Sequence, residues 1–444
     1  MRKSSSNWWQ RLPKFLRTEL RWLKPGLGVK RWVVVVLIGT TLLSVGIAFI
    51  LLDFYRTAPD TWWLPLLSVA SLRFLDRVFR ALIFGSLGVG LILWGVWEIN
   101  HSLLKPFVPR GQRLIDAVSA YHRREHGPRV VVVGGGNGLS SLLRGLKLHT
   151  TNLTAIVTVA DDGGSSGELR RNMGILPPGD LRNCLTALSN DEDLMSKIFQ
   201  YRFASDTGLK GHSLGNLFIT ALADITGSFE SAIAESGRVL AVQGRVLPAT
   251  LHDVHLMADV NVPEGVVRVS GESMIPQAHG KVNRVWLEPN NPLAYPPSIQ
   301  ALLSADLIVI GPGSLYTSLL PNLLVPDLAE ALRASRALKF YVCNVATQPG
   351  ETDGYSSGDH VKTIETHMQG RIFDLIVCNN RKDLVLPDGV EPVVLDDEVT
   401  RSYPLYATDL VDDKNPWRHD SVKLAQAIMD VYYEKTGPLS LKDN

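Results

Sequence analysis

The sequence predicts an α/β protein, with a Rossmann-like, mostly parallel sheet and helices on both faces, preceded by two transmembrane helices. Three observations predict it: two long uncharged runs before residue 100, apolar runs ending in glycine after residue 128, and helical periodicity after each of those runs. At 444 residues the chain exceeds one ordinary domain. It divides into a basic segment with a membrane anchor (1–100), a connector (101–128) and an α/β domain (129–444).

The first run, residues 33–52, is twenty residues without a charge. At about 1.5 Å rise per residue it spans roughly 30 Å, the thickness of a bilayer core. The second, residues 81–97, has seventeen uncharged residues, with Trp94 and Trp97 placed as interfacial anchors. Residues 1–31 carry nine Lys and Arg against Glu19 alone, so this segment stays inside and two spans return the chain to the same side. The expectation is a two-pass protein of the plasma membrane, with both termini and the α/β domain cytoplasmic. The apolar spacing of Leu114, Ile115, Val118 and Tyr121 suits a short connector helix over 112–125.

The overall charge of +1 hides a contrast, because residues 129–444 carry a net −10. An acidic domain is a poor partner for nucleic acid, which is held by Lys and Arg on phosphates. Any anionic ligand must then be held by local devices. Cys184, Cys343 and Cys378 are widely spaced and form no C-x-x-C pair, so they read as reduced, buried residues with no zinc site.

Within the α/β part, candidate strands are 129–133, 153–159, 307–310, 340–344 and 375–379. Candidate helices include 138–149, 178–189, 213–225, 325–336 and 422–435, the last capped by Asp420 or Ser421. Residues 250–290 read as short antiparallel strands inserted between two βα halves.

Four loops carry the chemistry. After the first strand come Gly134, Gly135, Gly136, Asn137 and Gly138, opening a helix. Glycines there admit positive φ and let backbone N–H groups approach a phosphate, and the helix start adds about half a positive charge. The third glycine of the dinucleotide fingerprint is missing. After the second strand, Asp161 and Asp162 precede Gly163, Gly164, Ser165, Ser166 and Gly167. An acid here accepts ribose hydroxyls and the Gly/Ser run forms a phosphate nest; alternatively the two carboxylates are a donor pair for Mg²⁺. Asp180 heads a helix and reads either as its cap or as a ligand contact. His212 reads equally as a satisfied loop histidine, beside Ser213 and Asn216. Gly311, Gly313 and Ser314 repeat the strand-then-glycine pattern, as do Asn344, Thr347, Gln348, Gly350 and Glu351. Loops at the carboxyl ends of parallel strands converge on one crevice.

GGGNG, VADDGGSSGELR, PPGDLRN, GHSLGNL, IVIGPGSLYTSLLPNLLVP, TQPGETDGY and RHDSVKLAQAI follow one another in this order. Together they resemble the bacterial gluconeogenesis-factor branch of the CofD-like family over about residues 129–435. The resemblance implies a CofD-like fold and a crevice lined by Gly135, Gly136, Asn137, Gly138, Asp161, Asp162, Ser165, Ser166 and Asp180. It completes that crevice with Asn216, Gly313, Ser314, Thr347 and Gln348, and gives Arg418 to a UDP-sugar diphosphate. It implies a non-catalytic UDP-sugar-binding regulator of cell shape and of envelope and carbon metabolism, working as a homo-oligomer beside cell-wall synthesis proteins. The alternative it implies is a Mg²⁺-dependent transferase similar to the 2-phospho-L-lactate transferase, with Asp161 and Asp162 on the metal. The sequence departs from the family at Ala346, where Met is common, at Ser421, where Pro is common, and between Asn380 and Val393, a stretch that is short and lacks a tyrosine.

Overall fold

The structure, a computed structural model, describes residues 77–104, 127–190, 192–204, 208–396 and 401–437, with scattered positions between 38 and 76. The chain forms two compact units, residues 1–122 with 441–444, and residues 123–440. In the first unit, α1 (Arg77–Leu104) contains the second uncharged run. Its Phe79, Leu82, Phe84, Leu87, Leu91 and Trp94 are exposed. Most of the first run and the whole 112–125 connector lie outside the described residues. Among the described residues, no helix is long and apolar enough to cross a membrane.

The second unit begins with β1 (Val130–Gly134), α2 (Gly136–Leu146), β2 (Leu153–Val157), α3 (Gly164–Met173) and α4 (Gly179–Leu188). Then come α5 (Glu192–Gln200), α6 (Leu214–Thr226), α7 (Phe229–Val239) and β3 (Arg245–Pro248). The inserted strands are β4 (His255–Val262), β5 (Gly265–Ser270) and β6 (Lys281–Glu288). The second half holds α8 (Pro296–Ser304), β7 (Leu307–Ile310), a π-helical turn (Leu315–Leu319) leading into α9 (Leu320–Leu323), α10 (Pro326–Ala334) and β8 (Leu338–Val342). It ends with α11 (Ser357–Met368), β9 (Leu375–Asn379), β10 (Leu405–Thr408) and α12 (Ser421–Thr436).

Seven strands form one sheet in the order β10-β9-β8-β7-β1-β2-β3, and every pairing in it is parallel. β7 is the central strand and β1 lies beside it, with Val130 opposite both Leu153 of β2 and Leu307 of β7. The Val130–Val133 and Leu307–Ile310 runs are fully buried, as expected for strands covered by helices on both faces. The antiparallel insertion is present as β5-β4-β6. β3 and β10, the two edge strands, were not anticipated. They are only four residues long and β10 is half-buried throughout, which leaves little apolar pattern to read.

α2 presses Leu139, Leu142, Leu143 and Leu146 onto the core, all with no exposed surface. Its outer side meets α12, where a Cβ on Gly145 would fall 1.9 Å from the Ser421 carbonyl oxygen and 2.6 Å from Ala425 Cβ. Gly237 in α7 has room, its nearest neighbour for a Cβ being Leu185 Cδ2 at 3.6 Å. Alanine is normally the better helix former by about 1 kcal/mol. Gly237→Ala should therefore raise the urea midpoint of the full chain. Gly145→Ala should lower it, by about 1–3 kcal/mol of stability, because backbone must move. Equal behaviour of the two variants would contradict this packing.

Candidate functional site

The chain leaves β1 and β7, neighbours in the sheet, toward opposite edges, so the loops that follow them diverge. Between them, at the carboxyl end of the sheet, lies a cavity of about 460 Å³, the size of a small-molecule site.

The loop after β1 enters α2 through Gly136, at φ +65°, and exposes Asn137. Gly138 lies against the loop after β7, where a Cβ would stand 2.6 Å from the Pro312 carbonyl oxygen and 3.0 Å from the Gly313 nitrogen. Asn344, after β8, holds that second loop by donating from Nδ2 to the Gly313 carbonyl at 3.0 Å. Gln348 Nε2 donates to Ser314 Oγ at 2.7 Å. Thr347 is itself fixed, with its amide on the Glu391 carbonyl and its hydroxyl accepting the Glu391 amide. Beneath the floor, the fully buried Asn322 donates to the Gly134 carbonyl at 3.0 Å and to the Ser318 carbonyl at 2.8 Å, tying the π-helical turn to the end of β1.

Asp180 caps a helix, but not its own. Its Oδ2 accepts the Gly136 amide at 2.8 Å, at the start of α2. The next amides of that first turn have no intrahelical acceptor, and Asn137 and Gly138 both line the cavity. Asp161, in the loop after β2, and Glu272, after β5, join Asp180 in the cavity lining. Burial raises all three carboxyls, Asp161 above its usual range, Asp180 to about 6 and Glu272 to about 9; repulsion adds to it, from Asp162 on Asp161, from Asp161 on Asp180, and from both Asp161 and Asp180 on Glu272. Asp161 accepts the Gly163 amide at 2.9 Å.

Of the residues singled out in the sequence, Gly135, Gly136, Asn137, Gly138, Asp161, Asp180, Gly313, Ser314, Thr347, Gln348 and Arg418 line this cavity. Asp162, Ser165, Ser166 and Asn216 do not. The Gly/Ser run is not a nest but the first turn of α3, which turns its serines inward. Asn216 Nδ2 donates to Ser165 Oγ at 3.0 Å, Ser165 Oγ lies 3.1 Å from His212 Nδ1, and Arg182 donates to Asn216 Oδ1 at 2.9 Å. Asp162 turns away to accept the Ser273 amide at 2.9 Å. Asp161 instead accepts the Gly163 amide, so the two carboxylates of the pair have different partners. Among the described residues, no group of three or more His, Cys, Asp or Glu side chains is arranged to hold a metal. The three cysteines are free and buried.

Glu272, Trp417 and His419 were missed. Glu272 follows Gly271, another glycine directly after a strand, so the signal existed inside the insertion. His419 adjoins Arg418; its Nε2 donates to the Cys343 carbonyl at 3.2 Å, and burial lowers its pKa to about 4, so the ring is neutral with Nδ1 free to accept.

A family model described as 2-phospho-L-lactate transferase CofD matches residues 130–434. The chain belongs to the CofD-like family, in the branch of gluconeogenesis factors. A putative gluconeogenesis factor from Nostoc sp. is 46% identical over 93% of this chain and 92% of its own length. That alignment reaches well beyond the family region into the N-terminal segment. The gluconeogenesis factor of Bacillus subtilis is 46% identical over 69% of this chain and 99% of its own. The crystal structure of a Bacillus halodurans protein superposes with a TM-score of 0.64 at 45% identity, covering 68% of this chain and 99% of that one. The CofD-like part of the chain thus carries the whole length of these shorter relatives.

The carboxyl wall has a measurable consequence. Unfolded carboxyls titrate near pH 4. Folded Asp180 and Glu272 keep their protons up to about 6 and about 9, so their stabilising contribution is complete below about pH 4 and is lost as pH rises through those values. Glu272→Gln should flatten the fall of the urea midpoint between about pH 5 and 9 relative to wild type. A profile with the same slope in both chains would remove Glu272 from the wall.

Proposed function

We propose that the protein is a membrane-anchored, non-catalytic UDP-sugar-binding gluconeogenesis factor that regulates cell shape and envelope and carbon metabolism. The observation that carries the reading is the crevice at the β1/β7 switch point, which the residues at the start of α2 and Arg418 line together. Among the described residues, Arg418 is the cationic side chain lining a cavity otherwise provided with carboxyls. That combination suits a ligand with a compact anionic centre and hydrogen-bonding ends. The relatives named gluconeogenesis factors support the assignment to this role. The anchor is supported by the uncharged runs 33–52 and 81–97 and by the exposed apolar side chains of α1. Cell-wall synthesis proteins as partners, and a homo-oligomer, remain part of the proposal.

Calorimetric titration of the detergent-solubilised full chain tests the ligand. UDP-N-acetylglucosamine or UDP-glucose should bind more tightly than GDP or NAD. Arg418→Ala should weaken that binding about 10- to 150-fold, the loss of a hydrogen bond to a charged group. Failure of both UDP-sugars to bind rejects the reading. For the anchor, the full chain should stay with membranes washed in alkaline carbonate, whereas deletion of residues 33–97 should release it. Recovery of the full chain in the supernatant would reject the anchor.

The transferase reading is favoured by one specific observation, the description of the matching family model. Turnover of phospholactyl-guanosine diphosphate with a deazaflavin acceptor would establish it. Binding of nucleotide without turnover would leave the regulator.

A further inference from the structure

The cavity is bipolar. Its apolar lining, Val345, Ala346, Pro349, Val390 and Trp417, comes from the segments that follow β8, β9 and β10. Its carboxyl lining, Asp161, Asp180 and Glu272, comes from segments that follow β2 and β5. In the sheet order, β8 and β2 are three strand spacings apart, with β7 and β1 between them. At 4.7–4.9 Å per spacing, the two ends lie about 14 Å from one another. The Gly135–Gly138 turn and Gly313 sit over the middle, after β1 and β7.

Trp417 is the one large aromatic side chain among the described lining residues, and it is 40% exposed. It is also held in place. The segment that carries it is closed by a bridge between Val411 and His419, by the Asp412 amide on the Arg418 carbonyl at 3.0 Å, and by the Arg418 amide on the Asn415 carbonyl at 2.8 Å. Beyond it, Asp420 caps α12 and Lys423 donates to Asp409 at 2.8 Å. His419 pins the segment to the end of β8 through the Cys343 carbonyl. A rigid backbone presenting an indole to a cavity offers a stacking face with little ordering left to do on binding.

From this arrangement, and resting on the nucleotide reading above, we infer that Trp417 stacks the planar base and thereby fixes the ligand's direction. The base lies over β8, the diphosphate over the glycine turns beside Arg418, and the hydroxyl-rich sugar against Asp161, Asp180 and Glu272. Carboxyl oxygens on this wall accept from sugar hydroxyls. The reverse direction would place a negatively framed wall against the base and leave the indole facing a polar sugar.

The test separates the two ends, using UDP and UDP-N-acetylglucosamine on the detergent-solubilised full chain. Trp417→Ala should weaken both ligands alike, by about 5- to 150-fold, the value of one stacked base. Trp417→Phe should restore most of the affinity. Glu272→Gln should change the affinity for UDP-N-acetylglucosamine and leave that for UDP within twofold. UDP should quench part of the wild-type tryptophan emission, and that quenching should vanish in Trp417→Phe although the variant still binds. UDP binding that Trp417→Ala leaves unaltered would overturn this inference alone, as would a loss in Glu272→Gln that is equal for both ligands. Absence of any UDP or UDP-sugar binding by wild type would overturn the nucleotide reading itself, and the inference with it.

Discussion

The site depends on one close approach. Where β1 and β7 end, the turn into α2 and the loop before the π-helical turn touch through backbone, with the Pro312 carbonyl in the place a Cβ of residue 138 would need. Any side chain there would push the two loops apart and pull Asn137 and Gly313 off the same cavity. Asn322 reinforces the contact from below by joining Gly134 and Ser318 with two hydrogen bonds in a fully buried position. The π-helical turn brings Ser318 within reach, with Ser314 and Leu315 ahead of it, and irregular helix of this kind is common where side chains must be aimed.

Beneath the carboxyl wall lies a second polar layer. Arg182 is buried and reaches Asn216, and Asn216 reaches both Ser165 and Ser166. Desolvation lowers the Arg182 guanidinium to about 10, while the neighbouring Asp180 and Asp161 oppose that fall. None of these four side chains lines the cavity. Buried groups satisfied in this way hold a single geometry, because each lost partner leaves an uncompensated polar atom in a low-dielectric interior.

The sequence made the glycine turns and the strands before them legible because their signal is local. A run such as Val130–Val133 is apolar on both faces only when helices cover both sides, and a glycine at its end marks the turn. The same local logic misread Ser165 and Ser166. Two hydroxyls after two glycines look like a phosphate nest, yet the backbone at Gly164 turns directly into α3 and rotates both serines toward α6. Asp180 shows the complementary case. Its position in the first turn of α4 pointed to a cap, and its carboxylate does cap a helix, but one that begins forty-four residues earlier. No pattern within a short window encodes that partner.

The sequence by itself determined the parallel α/β class, the inserted antiparallel strands, the glycine-rich crevice and the family, since periodicity, glycine placement and motif order are properties of the chain. Tertiary structure alone decided which side chains share the cavity. It brought Glu272 from the insertion, Trp417 and His419 from the segment before α12, and turned Asp162 and Asn216 away. The reason is physical. Strand spacing and side-chain direction, not separation along the chain, set which groups lie within a few ångströms, and at that range they repel, hydrogen-bond or stack.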